Sequence, residues 1–476
     1  MPNDALTRLA DLGKPAVAPP LDPDFRPAVL ANAALQKLAK ATGRAAPLKI
    51  GLERADGTRS VFEALLLPED HPEAAMNLPF VERLVKFLLW QKGGWKVTIG
   101  GPKAVADHIA AVYSPQGQRR FDWEFMGETV YEKPFTVVHC APEEVPAACE
   151  TSMPIGRHLE GCRVGFDLGA SDRKAAAVID GETVYSEEVV WDPRGHSDPQ
   201  YHYDEILAGI RSAAEHLPRL DAIGGSSAGV IVNNRPMVAS LFRGVPKEQY
   251  HRVRSIFLDI GRELGVPIEV ANDGDVTALA GAMSMNAHSV LGVAMGSSEA
   301  VGYVNREGNI TGWLNELAFA PIDYRPDSPA DEWSGDTGCG VQYLTQQAVF
   351  RLAGQVGIRL PEEAPLAEKL KTVQRRLEAD DERAVRIWET IGVYLGYAIA
   401  HYACFYPIRH LLVLGRVTSG KGGPILIQKA HEVLSAEFPQ LAQTINVQLP
   451  DETTRRVGQA VAAASLPALP EKENNP

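Results

Sequence analysis

The chain has 476 residues, 45% hydrophobic and 22% charged, a composition typical of a globular protein of about three domains. Its 47 lysines and arginines against 60 aspartates and glutamates give a formal net charge of −13, which argues against nucleic-acid binding through a basic face. Five scattered cysteines argue against a disulfide framework or a structural zinc site, and no apolar run reaches the roughly 18 residues that span a bilayer.

The N-terminal region predicts a separate α/β domain over residues 1–155. Its first 45 residues lack the pattern of a secretory signal, so we expect a cytoplasmic protein, and they predict a lead-in with one helix. Two strands around Asp56-Gly57 follow, then a helix (VERLVKFLLWQ), a strand (WKVTIGG) and a helix (PKAVADHIAAVY). The segment FDWEFMGETVYEKPFTVVH alternates like further strands. This domain could cover a cleft, mediate dimerisation or add a specificity surface.

A new pattern begins at Arg163. The segment RVGFDLGASDRKAAAVIDGETVYSEEVV predicts three strands joined by a glycine turn and by an Asp180-Gly181 turn. A helix, the strand and loop AIGGSSAGVIVNN, a helix ending near Leu264 and the strand PIEVAND follow. The helix DVTALAGAM, the strand SVLGVAMGSS and the hairpin YVNREGNITGWL come next. The last third is mostly helical, with a long helix near 382–406, the strand HLLVLGR and a final helix over 453–466.

Two carboxylates stand at predicted strand ends. Asp167 is followed by Gly169 and Ser171, an arrangement that could bring backbone N–H groups to a phosphate and hold a metal-bound water; an ordinary Asx turn is the alternative. Asn272-Asp273 follows PIEVA and precedes a helix, at the sheet edge where ligands bind. Asp273 could act as a general base, whereas capping of the helix is the common use of these residue types.

Three further turns carry polar groups. Gly296-Ser297-Ser298 follows a buried strand and could hold the other side of a triphosphate. Asn315-Glu316 offers an amide and a carboxylate for sugar hydroxyls. The stretch from Gly415 to Gly420 joins a strand to a helix, as in nucleotide-handling turns, although most such turns only reverse the chain.

The order of these motifs from about Arg163 to Leu466 resembles the ROK family (repressor, open reading frame, kinase), which includes bacterial glucokinases and other sugar kinases. The resemblance implies an α/β actin-like ATPase (ribonuclease H-like) fold of two lobes, preceded by the N-terminal domain. We expect lobe 1 over 160–283 with the helix 453–466, and lobe 2 over 284–450. SSAGVIVNNRPMVASLFRGVP is similar to the family's sugar-side loop and implies that Gly229 and Asn234 lie near the cleft.

The resemblance implies that ATP and Mg²⁺ bind between the lobes. Nucleotide would contact the residues Asp167, Gly169, Ser171, Gly296, Ser297, Ser298, Gly415 and Gly420, with Asp167 on the metal. A hexose or related sugar would be held by Asn272, Glu316, Gly229 and Asn234, while Asp273 takes the proton of the attacking hydroxyl. No zinc, nucleic acid or membrane partner is expected, and a homodimer is compatible with the resemblance.

Several positions depart from the family pattern. The second phosphate turn continues with Glu299 and lacks the family's further glycines, so the carboxylate would repel phosphate unless it faces away or binds a metal. The family's Glu-x-Gly-His becomes Glu316-Leu-Ala-Phe319, and its zinc-binding cysteines are reduced to Cys339. The alternative function is therefore a catalytically weakened or inactive regulatory protein that binds a sugar or nucleotide.

Overall fold

The computed structural model describes residues 2–150, 155–450 and 458–469. These residues form two compact units. Unit 1 comprises 2–150, 293–300 and 313–449, and unit 2 comprises 155–292, 301–312, 450 and 458–469.

The α-helices of the described ranges, in chain order, are α1 (Pro2–Asp11), α2 (Ala28–Ala41), α3 (Asn77–Lys92), α4 (Lys103–Val112), α5 (Arg120–Glu124), α6 (Pro199–Ala214), α7 (Tyr250–Leu264), α8 (Asp273–Ser284), α9 (Gln346–Gln355), α10 (Leu366–Glu378), α11 (Glu382–Tyr402), α12 (Gly422–Glu437), α13 (Pro439–Thr444) and α14 (Gln459–Ala464). The predicted long helix is α11. The start of the predicted helix 453–466 lies outside the described residues, and its remainder is α14.

The strands, again in chain order, are β1 (Ala46–Glu53), β2 (Arg59–Leu66), β3 (Lys96–Gly100), β4 (Thr136–Cys140), β5 (Cys162–Leu168), β6 (Asp172–Ile179), β7 (Glu182–Val190), β8 (Ala222–Ser227), β9 (Val230–Val232), β10 (Arg235–Val238), β11 (Ile268–Asn272), β12 (Val290–Met295), β13 (Glu299–Val304), β14 (His410–Leu414) and β15 (Asn446–Gln448). They form sheets of order β2-β1-β3-β4, β11-β8-β5-β6-β7 and β13-β12-β14-β15, and β9 pairs with β10.

The N-terminal sheet lies in unit 1. Strand β1 is antiparallel to β2 and β3, and β4 runs parallel to β3. A short 3-10 turn, Ala55–Gly57, joins β1 to β2 as the sequence predicted. The lead-in contains two helices, α1 and α2, rather than one.

The prediction of strands in the segment after residue 120 is wrong for its first half. Helix α5 is continued by a π-helical turn, Phe125–Tyr131, and only β4 is a strand. The cause is a tertiary contact, because the carboxylate of Asp122 is buried and accepts hydrogen bonds from Trp90 Nε1 at 2.7 Å and Lys86 Nζ at 3.0 Å. These partners outweigh the alternating pattern.

The N-terminal region is tied to the later part of unit 1 by buried charges. Asp336 accepts two hydrogen bonds from Arg83, at 3.1 and 3.0 Å, and lies 3.4 Å from Lys86 Nζ and 2.5 Å from Arg119. Burial alone would raise the pKa of Asp336, but the three cations lower it well below its usual range. An isolated buried charge is costly, so each of these groups depends on the others.

The sheet of unit 2 has helices on both faces. Val164, Phe166 and Leu168 of β5 point into a core shared with α6 and α7. The alternate residue Gly165 faces α14, where an added Cβ would lie 1.7 Å from the carbonyl oxygen of Ala460. Strands β5, β8 and β11 run parallel, so their carboxyl ends share one edge of the sheet.

Candidate functional site

Three neighbouring strand ends bring polar side chains together in unit 2. In the register of β5 and β8, Asp167 stands opposite Ser226, and Asn272 at the end of β11 stands opposite Ser227. The hydroxyl of Ser226 donates to Asp167 Oδ1 at 2.7 Å. Ligands of open α/β sheets bind at such an edge, so the parallel register alone assembles a candidate site here.

Asp273 is the first residue of α8, directly after this edge. Asn272 is the helix cap, since its Oδ1 accepts from the Gly274 N–H at 2.7 Å while its Nδ2 donates to the Gly229 carbonyl at 2.8 Å. Asp273 Oδ1 also accepts from the Gly274 N–H, at 3.0 Å. The capping alternative is thus correct for Asn272, and the carboxyl of Asp273 is not required for it.

The two carboxyls of the site influence each other. Burial raises the pKa of Asp167, which the Ser226 hydrogen bond and Lys174 partly offset. Burial also raises the pKa of Asp273, and the negative charge of Asp167 raises it further. Two carboxyls that repel each other in a buried place hold a proton more readily than free aspartates, as acid–base groups of enzymes do.

The first predicted phosphate turn is closed by its own side chains. The Gly169 carbonyl accepts from Trp191 Nε1 at 2.8 Å. The hydroxyl of Ser171 donates to the carboxylate of Asp172 at 2.9 Å, and Lys174 Nζ lies 3.8 Å from the same carboxylate. Ser171 is therefore engaged with an anion, and a phosphate at this turn would have to replace it.

The side chain of Asn234 forms hydrogen bonds with strand β11. Its Oδ1 accepts from the Val270 N–H at 2.7 Å, and its Nδ2 donates to the Ile268 carbonyl at 3.1 Å and to Glu269 at 3.3 Å. Gly229 has a φ of +114°, and an added Cβ would lie 2.2 Å from the Val238 carbonyl oxygen. Both residues shape the loop beside Asn272.

The second turn, Gly296 to Ser298, lies in unit 1. The Gly296 N–H donates to the Ser298 carbonyl at 3.0 Å, and the Gly296 carbonyl accepts from the Gln346 N–H at 2.9 Å. Ser297 and Ser298 are exposed. The next residue, Glu299, points away into the core, where Tyr402 donates to its Oε1 at 2.8 Å. The expected repulsion of phosphate is thereby removed, because the carboxyl does not face the turn.

The turn after β14 approaches the second turn closely. Gly415 has a φ of +94°, and an added Cβ would lie 2.5 Å from the Met295 carbonyl oxygen, so only glycine fits there without strain. Gly420, with a φ of +62°, lies beside Glu378, which accepts from the Lys421 N–H at 2.9 Å. Gly296, Ser297, Ser298 and Gly415 are thus at one end of the same sheet.

The Asn315-Glu316 loop is also in unit 1. The Glu316 N–H donates to the Trp90 carbonyl at 2.9 Å, and Asn315, with a φ of +53°, is buried and accepts from the Tyr406 hydroxyl at 2.9 Å. Phe319 stacks on Trp90 with ring centroids 4.2 Å apart. The position at which the resemblance expects a histidine is therefore part of an aromatic stack.

Two residues of the site escaped the sequence analysis. Ser226 is the penultimate residue of the buried strand AIGGSS, and a hydroxyl at that strand end is the sequence signal for a partner of Asp167. Gln459 on α14 donates from Nε2 to Ser226 Oγ at 2.9 Å and to the Asp273 carbonyl at 3.3 Å. Nothing in the surrounding sequence marks it, because its partners lie more than 180 residues earlier.

Within the described ranges, no three His, Cys, Asp or Glu side chains are grouped so that they could hold a metal ion. Cys339 is buried, and its Sγ lies 3.7 Å from the Asp336 carboxylate. Across 2–150, 155–450 and 458–469, no helix combines the length and apolarity needed to cross a membrane.

Comparison with known proteins places this geometry in a family. The sequence model described as ROK family matches residues 163–454. A ROK hexokinase from Thermus thermophilus is similar in structure, with 18% identity, a TM-score of 0.51, and coverage of 64% of this chain and 97% of that chain. A ROK family transcriptional regulator, a homologue of the E. coli MLC protein, has 18% identity, a TM-score of 0.51 and coverage of 65% and 78%.

No curated protein sequence matches the chain. The structural likeness, at this identity, shows the fold. The predicted α/β actin-like ATPase fold with a preceding α/β region is thereby confirmed. The predicted boundaries at 155, 160–283 and 284–450 stay predictions.

Proposed function

Because the chain belongs to the ROK family, we propose that it transfers a phosphoryl group from ATP to a hydroxyl of a hexose or related sugar. The observation that carries the proposal is the meeting of Asp167, Ser226 and Asp273 at the carboxyl edge of β5, β8 and β11. Phosphoryl transfer needs positioned groups and charge stabilisation more than covalent chemistry from the protein.

Asp273 is the proposed general base. Its carboxyl would accept the proton of the sugar hydroxyl as the hydroxyl attacks the phosphorus. The raised pKa of Asp273 suits this task, since a base is most effective when its pKa approaches the working pH. Gln459 and Asn272 fix the start of α8, so they position Asp273 without touching the proton.

Asp167 is the residue proposed to hold Mg²⁺ through a coordinated water. A carboxylate beside a hydroxyl, as Asp167 and Ser226 are, is the kind of hard oxygen set that Mg²⁺ accepts. When bound, the ion supplies charge neutralisation for the phosphates. The backbone at Gly169 and Ser171 in unit 2, and at Gly296–Ser298, Gly415 and Gly420 in unit 1, is proposed to contact the nucleotide.

Sugar binding is proposed for Asn272, Gly229, Asn234 and Glu316. The amides of Asn272 and Asn234 already bond to Gly229 and β11, so they would shape the pocket more than grip a hydroxyl. Glu316 is the carboxylate proposed to accept hydrogen bonds from sugar hydroxyls. With Phe319 in the histidine position, we expect sugar affinity to rest on fewer polar contacts than the resemblance alone implies.

The second candidate is a regulatory protein that binds sugar or nucleotide with weak or no turnover. The observation that favours it is the bond between Ser171 and Asp172, which places an anion where phosphate is expected. The same fold occurs in a transcriptional regulator and in a hexokinase, so the fold alone does not distinguish a regulatory from a catalytic function.

The test is ADP release by the purified protein with ATP, Mg²⁺ and a panel of hexoses, amino sugars and polyols. Asp273→Asn should lower sugar-dependent turnover by about 10²- to 10⁴-fold. The control is Asp198→Asn, because Asp198 caps α6 as Asn272 caps α8 and lies outside the site. Full turnover in Asp273→Asn would overturn the proposed base. No turnover in the wild type, with a thermal shift by sugar or ATP, would favour the regulator.

A further inference from the structure

One side chain of α14 is connected to both aspartates of the candidate site. Helix α14 reads Gln-Ala-Val-Ala-Ala-Ala, so Gln459 is its polar residue. The Nε2 of Gln459 donates to Ser226 Oγ at 2.9 Å and to the Asp273 carbonyl at 3.3 Å. Ser226 in turn donates to Asp167 Oδ1 at 2.7 Å. A continuous line of hydrogen bonds therefore runs from Asp167 to the first residue of α8.

The direction of each hydrogen bond in this line follows from its chemistry. The Asp273 carbonyl can only accept, so the nitrogen of the Gln459 amide, and not its oxygen, must face it. The same nitrogen faces Ser226, whose oxygen therefore accepts. A serine hydroxyl has one hydrogen, and that hydrogen is left for Asp167. An acceptor in place of Gln459 Nε2 would instead draw the Ser226 hydrogen away from Asp167.

Helix α14 lies directly on the strands that carry these groups. A Cβ added to Gly165 of β5 would lie 1.7 Å from the Ala460 carbonyl oxygen. A Cβ added to Gly224 of β8 would lie equally close to a second carbonyl oxygen of α14. Glycine at both positions thus lets the helix backbone approach β5 and β8 closely. Because Ser226 is also fully buried, bulk water does not compete with Gln459 for its hydroxyl.

We propose that Gln459 is a positioning residue of the reaction, which acts through Ser226 on Asp167 as well as through the backbone of Asp273. It keeps the Ser226 hydrogen on Asp167 Oδ1, so Asp167 Oδ2 is the oxygen left for the water of a bound Mg²⁺. The inference rests on the proposed function, in which Asp167 serves the metal and Asp273 takes the proton. Gln459 itself touches neither the substrate nor the metal.

The first test measures binding and does not need turnover. Isothermal titration calorimetry gives the affinity of the full chain for ADP with and without Mg²⁺, and we expect Mg²⁺ to tighten ADP binding in the wild type. Gln459→Glu should reduce this gain roughly tenfold, because its carboxylate accepts the Ser226 hydrogen and repels Asp167. Gln459→Met only deletes the donor and should reduce the gain less. The affinity for metal-free ADP should stay unchanged in both variants.

A double-mutant cycle shows whether the effect passes through Ser226. Ser226→Ala should by itself reduce the gain in affinity from Mg²⁺. Adding Gln459→Met should then change that gain by less than about twofold, because the line of hydrogen bonds is already broken. Gln440→Met, at an exposed position of α13, is the matched control and should keep the wild-type gain. Thermal unfolding checks that each variant folds.

Turnover gives the second readout. In the ADP-release assay, Gln459→Glu should lower kcat about 10- to 100-fold, because a hydrogen bond to a charged group is lost. The KM for the sugar should stay unchanged, because Gln459 is not among the proposed sugar contacts. Absence of turnover in the wild type would contradict the kinase proposal, and the Mg²⁺ measurement would then decide the role of Gln459.

Three results would overturn the inference. They are wild-type ADP binding that does not respond to Mg²⁺, a full Mg²⁺ gain in Gln459→Glu, and losses in Gln459→Met and Ser226→Ala that simply add. A lower melting temperature of Gln459→Met and Gln459→Glu with the wild-type Mg²⁺ gain would show that Gln459 only stabilises the fold.

Discussion

The buried carboxyl of Glu299 accepts a hydrogen bond from the hydroxyl of Tyr402 across 2.8 Å. Its other oxygen, Oε2, has no partner among the described residues. Burial raises the pKa of Glu299 to about 7, so the group is neutral in the folded protein under acidic conditions and must ionise in a dry place above pH 7.

This carboxyl makes stability depend on pH. In the unfolded chain its pKa is near 4.5, so the folded state binds more protons between pH 4.5 and 7, and stability falls across that window. Glu299→Gln keeps an acceptor for Tyr402 and removes the titration. We expect the variant to be about 2 to 3 kcal/mol more stable than the wild type at pH 8 and equal at pH 4.5, by urea denaturation. Glu307→Gln, on an exposed turn, is the control, and an unchanged pH slope in Glu299→Gln would contradict the assignment.

The buried cluster around Asp336 predicts a large loss of stability. Asp336→Ala leaves Arg83, Lys86 and Arg119 without their shared anion, which should cost about 3 to 5 kcal/mol of unfolding free energy. The midpoint of urea denaturation measures this loss of stability. Glu368→Ala removes an exposed ion pair of α10 and should leave the midpoint where it was. Equal midpoints for both variants would show that the cluster contributes little.

A substitution of Gly415 should lower the stability of the fold through backbone strain. Gly415→Ala forces a side chain into a left-handed backbone and against Met295, so we expect a loss of about 2 kcal/mol or more. Gly354→Ala is the matched control, since Gly354 lies in α9 with open space around the added Cβ. That change should stabilise by about 0.5 to 1 kcal/mol. Thermal unfolding measures both effects, and we expect the melting temperature to fall in Gly415→Ala and to rise in Gly354→Ala.

Removing the Ser226 hydroxyl should shift the pH dependence of activity. Its hydrogen bond lowers the pKa of Asp167, so Ser226→Ala should raise that pKa and move the acid limb of the kcat/KM profile to higher pH. The control is Ser227→Ala, which alters the neighbouring strand position without a bond to Asp167. An unmoved acid limb in Ser226→Ala would mean that Asp167 does not govern it.

Local patterns predicted most of the elements. The Asp180-Gly181 turn and the alternating strands around it were correctly predicted, because residues next to one another in sequence decide them. Asp122 shows the limit of local patterns. Alternation favoured a strand there, but a helix forms because the buried carboxylate of Asp122 accepts hydrogen bonds from Trp90 and Lys86.

The positions of Asp167 and Asp273 at strand ends were predicted, because local sequence patterns define those strands. Asp167 lies near the end of β5, and Asp273 directly follows β11. Both strands run parallel to β8, which lies between them, and this register brings the two residues to one edge of the sheet. The direction of Glu299 could not be predicted, because Tyr402 lies 103 residues later. Gln459 and the Phe319–Trp90 stack are likewise contacts between distant segments, which no local pattern encodes.

The sharing of unit 1 between residues 2–150 and 313–449 has a consequence for synthesis on the ribosome. The segment with Arg83, Lys86 and Trp90 leaves the ribosome before Phe319 and Asp336 are translated. At about 5 to 20 residues per second, the roughly 230 residues between Trp90 and Phe319 take on the order of 10 to 50 s. For that time Arg83 lacks Asp336 and the ring of Trp90 lacks Phe319. The nascent chain then carries an aromatic surface of the kind that chaperones bind, before its own partners have been translated.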